Sequence, residues 1–232
     1  MHLTRHARVH ASPLARGSVA FFDLDRTLVP GSSLVVLARA LVGHHVVSRR
    51  SLAKGLTANA VFARRGAGDS TASRLRERSL ETMAGVERAP LLEVLEGAGA
   101  AVADRMYPGA RWLVERHRDA GDFCVLVSAA PQELVDAVVR AAGLHRGVGT
   151  RGEVVDGCFT GRLDGAFCYG EGKVERLTTE LGSFDRATAS AYADSPSDIP
   201  LLRATARPVA VNPDRRMTRV ARDEGWPILR FS

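Results

Sequence analysis

Lysine is almost absent from this sequence: Lys54 and Lys173 are the only two among 32 basic residues. Cysteine is scarce as well. Cys124, Cys158 and Cys168 are too few for a disulfide framework, and none lies in a CxxC pair, which excludes a cysteine-built zinc site. That usage fits a reducing compartment, so the expected location is the cytoplasm. No apolar run reaches the roughly 18 residues that a membrane-crossing helix needs, so no membrane span is expected. Acid is missing from the start of the chain, where Asp23 is the first carboxylate. Residues 1–17 carry His2, Arg5, His6, Arg8, His10 and Arg16 instead. They lack the apolar stretch of about 7–15 residues that a secretory signal uses, and they read as a mobile basic tail.

What remains has the balance of a globular protein. Of 232 residues, 45% are hydrophobic and 25% charged, enough to bury a sizeable core. The net charge is +6, but the arginines are spread among Glu and Asp with no dense basic run interleaved with aromatics. This reads as a solvated surface, and no nucleic-acid partner is expected. The positive balance favours an anionic small substrate. The sequence is silent on assembly.

Pattern changes along the chain give its organisation. Residues 18–24 (SVAFFDL) are a short apolar run rich in β-formers, hence a buried strand. From Leu34 to about Met106 the pattern is helical with breaks near glycines, and it contains no convincing strand. Beyond Pro108 and Gly109, helix and strand alternate: a helix at 109–120, a strand at 122–128, a helix from Pro131 to Gly143. Residues 150–168 read as short strands joined by Asp-Gly and Thr-Gly turns. A helix at 172–181, strands at 189–193 and 208–211, and helices at 196–205 and 213–224 complete the pattern. Such alternation implies an α/β fold, an open parallel sheet between two helical layers. The expected domains are a core of 18–31 and 108–232 and an inserted helical cap of 32–107. Cys124 falls in a core strand, Cys158 and Cys168 in the small hairpin region.

Ligands of open α/β sheets bind at the carboxyl ends of the strands. The polar residues there are Asp23, Asp25 and Thr27 after the first strand, Ser128 after the second, and Asp194, Ser195 and Asp198 after the third. Asp23 and Asp25, two apart, face the same way where the chain leaves its strand. Two such carboxylates repel, so a cation or a shared proton is expected, and a hard Mg²⁺ ion prefers oxygen ligands of this kind. Asp194 would complete the set. Ser128 precedes a helix start, a natural phosphate cradle. Lys173 stands at another helix start, where an ammonium acts as a compact point charge toward a phosphoryl oxygen. Asp198, four residues after Asp194, also fits an ordinary helix cap.

Taken together, these segments resemble the haloacid dehalogenase superfamily of phosphohydrolases, in its phosphoserine-phosphatase-like branch. FFDLDRTLV is similar to the first family motif, VLVSAAP to the second, GEGKVERL to the third and AYADSPSDIPLL to the fourth. The helical insert after the first motif and VNPD at 211–214 fit the same branch. The resemblance implies a Rossmann-like core and a Mg²⁺-dependent phosphomonoesterase acting on a small phosphorylated metabolite. It implies Asp23 as nucleophile, forming an aspartyl-phosphate, and Asp25 as general acid and base. Mg²⁺ would be held by Asp23, the Asp25 backbone carbonyl and Asp194. Ser128, Lys173 and Thr27 would form the phosphate-binding set, with Thr27 also steadying the loop. Asp198 and Ser195 would support them from behind. The alternatives are a phosphotransferase using the same intermediate and a non-catalytic module that binds a phosphorylated ligand. Two departures stand out: Ser128-Ala129-Ala130 where phosphoserine phosphatases carry Ser-Gly-Gly, and Arg26 in place of a small residue. In the cap, Arg49, Arg50, Arg64 and Arg65 are candidates to meet an anionic substrate; His44 and His45 read as helix-surface residues.

Overall fold

The computed structural model describes residues 18–44, 81 and 83–232. The basic tail, His45 and the four cap arginines lie outside the described residues. The apolar run forms strand β1 (Val19–Phe22), with all four residues buried. Side chains buried on both faces make it a central strand. It pairs in parallel with β2 (Phe123–Pro131) on one side and β6 (Ser190–Ala193) on the other. Beyond them lie β3 (Arg146–Thr150), β7 (Arg207–Val211) and β8 (Ile228–Leu229), giving a parallel sheet of order β3-β2-β1-β6-β7-β8.

Alternation along the strands creates two cores. Ala20, Phe22, Cys124 and Leu126 face one layer, with α2 (Arg88–Ala103), α3 (Pro108–Asp119) and α4 (Gln132–Ala142). Val19, Phe21, Val125 and Val127 face the other, with α5 (Glu171–Leu181), α6 (Ile199–Arg203) and α7 (Arg215–Asp223). Burying Phe21 and Phe22 contributes about 1.5–3 kcal/mol each. This is the three-layer open sheet expected from the sequence.

Helix α4 shows how the local pattern works. Leu134, Val135 and Val138 are fully buried on its inner face, and it stops at Gly143, whose φ of 70° is left-handed. Pro131 sits at the cap position before its first turn. The Asp-Gly turn also forms as expected. Asp156 (φ 48°) and Gly157 (φ 82°) join β4 (Gly152–Val155) to β5 (Cys158–Leu163) in an antiparallel hairpin.

The described flanks of the expected cap are helix α1 (Ser33–Gly43) and α2. Both pack into the first core: Leu37, Leu91 and Leu95 share its cluster with Phe22 and Leu134. Helix α2 approaches α4 so closely that a Cβ on Gly99 would lie 2.4 Å from the Ala137 Cβ. Arg88 at its start donates to Glu133 of α4 at 2.9 Å. The cap expectation therefore rests on residues 45–82, all but one outside the described residues. His44, the residue that ends α1, is exposed.

Strand β3 is not in the sequence reading. Its sequence, RGVGT, has one large apolar residue and two glycines. The glycines are required by packing: a Cβ on Gly147 would lie 2.7 Å from Val135 Cγ1, and one on Gly149 would lie 2.9 Å from the Ala130 carbonyl oxygen. The side chains that would have announced a strand are the ones that α4 excludes.

Candidate active site

The site lies where β1, β2 and β6 end. Strand β1 stops at Phe22, and Asp23 is fixed by its own N–H, which donates to the Tyr192 carbonyl on β6 at 2.9 Å. The chain then turns back on itself. Leu28 and Val29 donate to the Leu24 carbonyl, and Arg26 donates to the Val29 carbonyl at 2.8 Å. Arg26 takes a left-handed φ of 64° to do so.

Helix α5 brings in the ammonium. Its first turn packs against the preceding loop, where a Cβ on Gly172 would lie 2.0 Å from the Phe167 carbonyl oxygen. Only glycine fits there, and the next residue, Lys173, is directed inward. Lys173 Nζ donates to Asp23 Oδ1 at 2.6 Å and to Asp198 Oδ1 at 2.5 Å. The other Asp23 oxygen accepts from Thr27 Oγ1 at 2.9 Å, and the other Asp198 oxygen accepts from Ser195 Oγ at 2.8 Å. Asp194 forms an ion pair with Arg26, Nε to Oδ2 at 2.8 Å. Carboxylate oxygens of Asp23, Asp194 and Asp198, all buried, lie within 4.8 Å of one another.

Asp25 is held differently. Its carboxylate accepts from Ser33 N at 2.7 Å and Ser32 Oγ at 3.1 Å, at the N-terminus of α1. It is not among the three clustered carboxylates. Residues two apart face the same way only in an extended chain, and β1 has already ended at Phe22. Ser128 is buried within β2, two residues past Leu126, which pairs with Phe22. Its Oγ accepts from the Ala130 N–H at 3.2 Å. The structure thus joins Asp23, Thr27, Lys173, Ser195 and Asp198 in one hydrogen-bond network and sets an Asp194 oxygen within 4.8 Å of it. It adds three partners the sequence reading lacked: Arg26 on Asp194, and Ser32 and Ser33 on Asp25. An Asn212 side chain also donates to the Arg26 carbonyl at 3.2 Å. No local pattern marks these pairings; only Arg26 drew notice, as a departure from the motif.

Charge explains the electrostatics. Burial pushes the Asp23 carboxyl up to about 6, Lys173 opposing and Asp198 adding to the shift. Burial, then the Asp23 charge, pushes Asp194 up to about 8, with Arg26 pulling it down. Burial alone would lower Lys173, but the Asp198 and Asp23 carboxylates outweigh it and hold the ammonium above its ordinary value. The cluster is short of positive charge. Hard oxygen donors, closely set and under-neutralised, fit a divalent ion of the Mg²⁺ kind.

A pH dependence follows. With divalent ions chelated, the folded protein should lose stability as pH rises from about 4 to about 8. Both carboxyls have folded values, about 6 and about 8, above the ordinary 3.8, so the folded chain holds more protons than the unfolded one in that window. Raising the pH therefore favours unfolding. Thermal melts with chelator at about pH 5 and about pH 8 measure this slope, and Asp194→Asn should flatten it. A wild-type slope that Asp194→Asn leaves unchanged would count against the assignment.

Residues 20–203 match the family model of haloacid dehalogenase-like hydrolases. The chain belongs to that family. It is 37% identical over 236 residues to the phosphoserine phosphatase SerB1 of Mycobacterium tuberculosis, covering 94% of this chain and 72% of that protein. Over 130 residues, 53% of this chain and 59% of the relative, it is 36% identical to a histidinol-phosphatase of Neisseria meningitidis. A protein of unknown function from Bordetella pertussis Tohama I has a similar solved structure, with TM-score 0.79 and 28% identity over 92% of this chain and 98% of that one. This haloacid dehalogenase-like enzyme is a phosphatase of the phosphoserine-phosphatase-like branch. No helix among its described residues is long and apolar enough to cross a membrane.

Proposed function

We propose that the enzyme is a Mg²⁺-dependent phosphomonoesterase that hydrolyses a small phosphorylated metabolite through an aspartyl-phosphate on Asp23. One observation carries this reading. The buried Asp23 carboxylate is oriented from one side by Lys173 and from the other by Thr27, with Asp194 and Asp198 beside it. A carboxylate so fixed is a nucleophile held in one pose.

Asp23 and Asp194 would hold the metal together with the Asp25 backbone carbonyl, and the ion would neutralise charge between a carboxylate nucleophile and an anionic ester. In the first step an Asp23 oxygen bonds to phosphorus and the ester P–O bond breaks. The Asp25 carboxylic acid gives its proton to the departing alcohol oxygen. In the second step water attacks phosphorus, Asp25 takes back a proton, and the bond to Asp23 breaks to release inorganic phosphate. Lys173 and Ser128 would face the non-transferred oxygens, where charge spreads in the transition state. Asp198, held by Ser195, keeps Lys173 in place.

The named substrates of the two relatives share a chemistry: a primary phosphate ester beside a carbon that bears an amine. We assign that class to this chain. Phosphate release across phosphorylated amino acids, amino alcohols, sugars and lipid headgroups, with Mg²⁺, tests both claims. The amino-bearing esters should turn over at least about tenfold faster than sugar phosphates. EDTA should stop release and added Mg²⁺ restore it. Asp25→Asn should lower kcat by about 10²–10⁴. No hydrolysis of any ester, or release indifferent to EDTA, would overturn the reading.

A further inference from the structure

We infer that Arg26 sets the divalent-cation affinity of the site: its guanidinium pairs with the Asp194 carboxylate and opposes an ion bound by that same carboxylate. The inference rests on the reading that Asp23 and Asp194 hold a cation.

Three observations carry it. First, Arg26 is the ion-pair partner of Asp194, at 2.8 Å, and among the described residues it is the only one. Second, the pair is lopsided. The Asp194 side chain is 4% exposed, that of Arg26 56%, so the guanidinium reaches in from the rim and has solvent to retreat to. Third, the Arg26 backbone is pinned while its side chain is not. Its N–H donates to the Val29 carbonyl at 2.8 Å, and its carbonyl accepts from Asn212 Nδ2 at 3.2 Å. Asn212 is itself anchored, its Oδ1 accepting from the Phe231 N–H at 2.8 Å. The left-handed posture of residue 26 is therefore fixed, and the side chain can leave Asp194 without moving the loop that carries Asp23 and Asp25.

Two cations on one carboxylate repel each other, so arriving metal must push the guanidinium aside or bind against its charge. Either way the affinity is lower than for the carboxylates alone. Arginine stays charged at any working pH, so the opposition is permanent. When the ion is scarce, the same contact relieves a buried carboxylate that would otherwise have no ion-pair partner among the described residues.

The test is Mg²⁺ binding to the whole chain, followed by calorimetry and by thermal melts. Arg26→Gln should bind Mg²⁺ roughly tenfold more tightly, and Arg26→Lys should fall between it and the wild type. In EDTA, Arg26→Gln should melt below the wild type; with saturating Mg²⁺ the gap should close or reverse. A merely structural role would lower both melts equally. Arg26→Asn, a residue that tolerates the left-handed backbone, serves as a second variant if the glutamine chain folds poorly. Unchanged or weaker Mg²⁺ binding in the folded variants overturns the inference. A wild type that binds Mg²⁺ no better than Asp194→Asn overturns the underlying cation reading instead.

Discussion

Asp23→Asn should abolish phosphate release, by roughly 10⁴-fold or more, while leaving a folded chain. An amide is no nucleophile toward a phosphate ester, so the loss falls on the chemical step. The fold should survive because the neighbours keep partners. Lys173 retains Asp198, and the Thr27 hydroxyl can accept from an asparagine Nδ2 as readily as it donates to the native carboxylate. Removing one of three buried carboxylates also relieves repulsion within the cluster. A steady-state assay and a thermal melt on the same preparation give both numbers. The corresponding intermediate, trapped by acid quench and located by mass, should sit on Asp23 in the wild type and be missing from the variant. Retained turnover, or an intermediate on another residue, would remove Asp23 from its role.

Lys173→Met should damage stability and activity together. Lys173 is 3% exposed and bridges two buried carboxylates, at 2.6 and 2.5 Å. Methionine keeps much of the volume and none of the charge. Breaking a buried pair from one side leaves uncompensated charge and costs about 3–5 kcal/mol. For a chain of this size that lowers the melting midpoint by about 6–20 °C. The ammonium lies above the ordinary lysine value, so its contribution is fully present below about 10 and is lost only in strong alkali. The ammonium itself adds no pH dependence across neutral pH, but its Asp23 partner, at about 6, does, so the loss should be smaller at about pH 5 than at about pH 8. Adding Asp198→Asn should recover part of the loss, since it removes one of the stranded charges. A midpoint that moves by less than about 2 °C would mean that the three groups are not coupled as described.

The legible parts of this molecule were those encoded locally. The β1 run is apolar on both faces and reads as a central strand without help. Gly143 ends α4, and Asp156-Gly157 turns a hairpin, because both need a backbone that few other residues adopt. The strand-end residues could be picked out because a parallel sheet gathers its carboxyl ends along one edge. What escaped the sequence was set by partners distant along the chain. Arg26 and Asp194 are neighbours only because β1 and β6 are adjacent. Strand β3 lacks the usual side chains because α4 leaves no room for them. Asp25 turns toward Ser32 and Ser33 because the strand ends at Phe22, a boundary that the hydrophobic pattern placed two residues later. Lys173 was visible as a rarity, yet the reason it can enter the interior, the space left by Gly172, exists only once the loop at Phe167 has folded over it.

The bond between Asp25 and the start of α1 links two jobs. The group assigned to proton transfer is held by Ser32 and Ser33 at the start of helix α1. A small tilt of that helix would carry the carboxylate with it, so the proton donor proposed here depends on how firmly Leu37 seats α1 in the core.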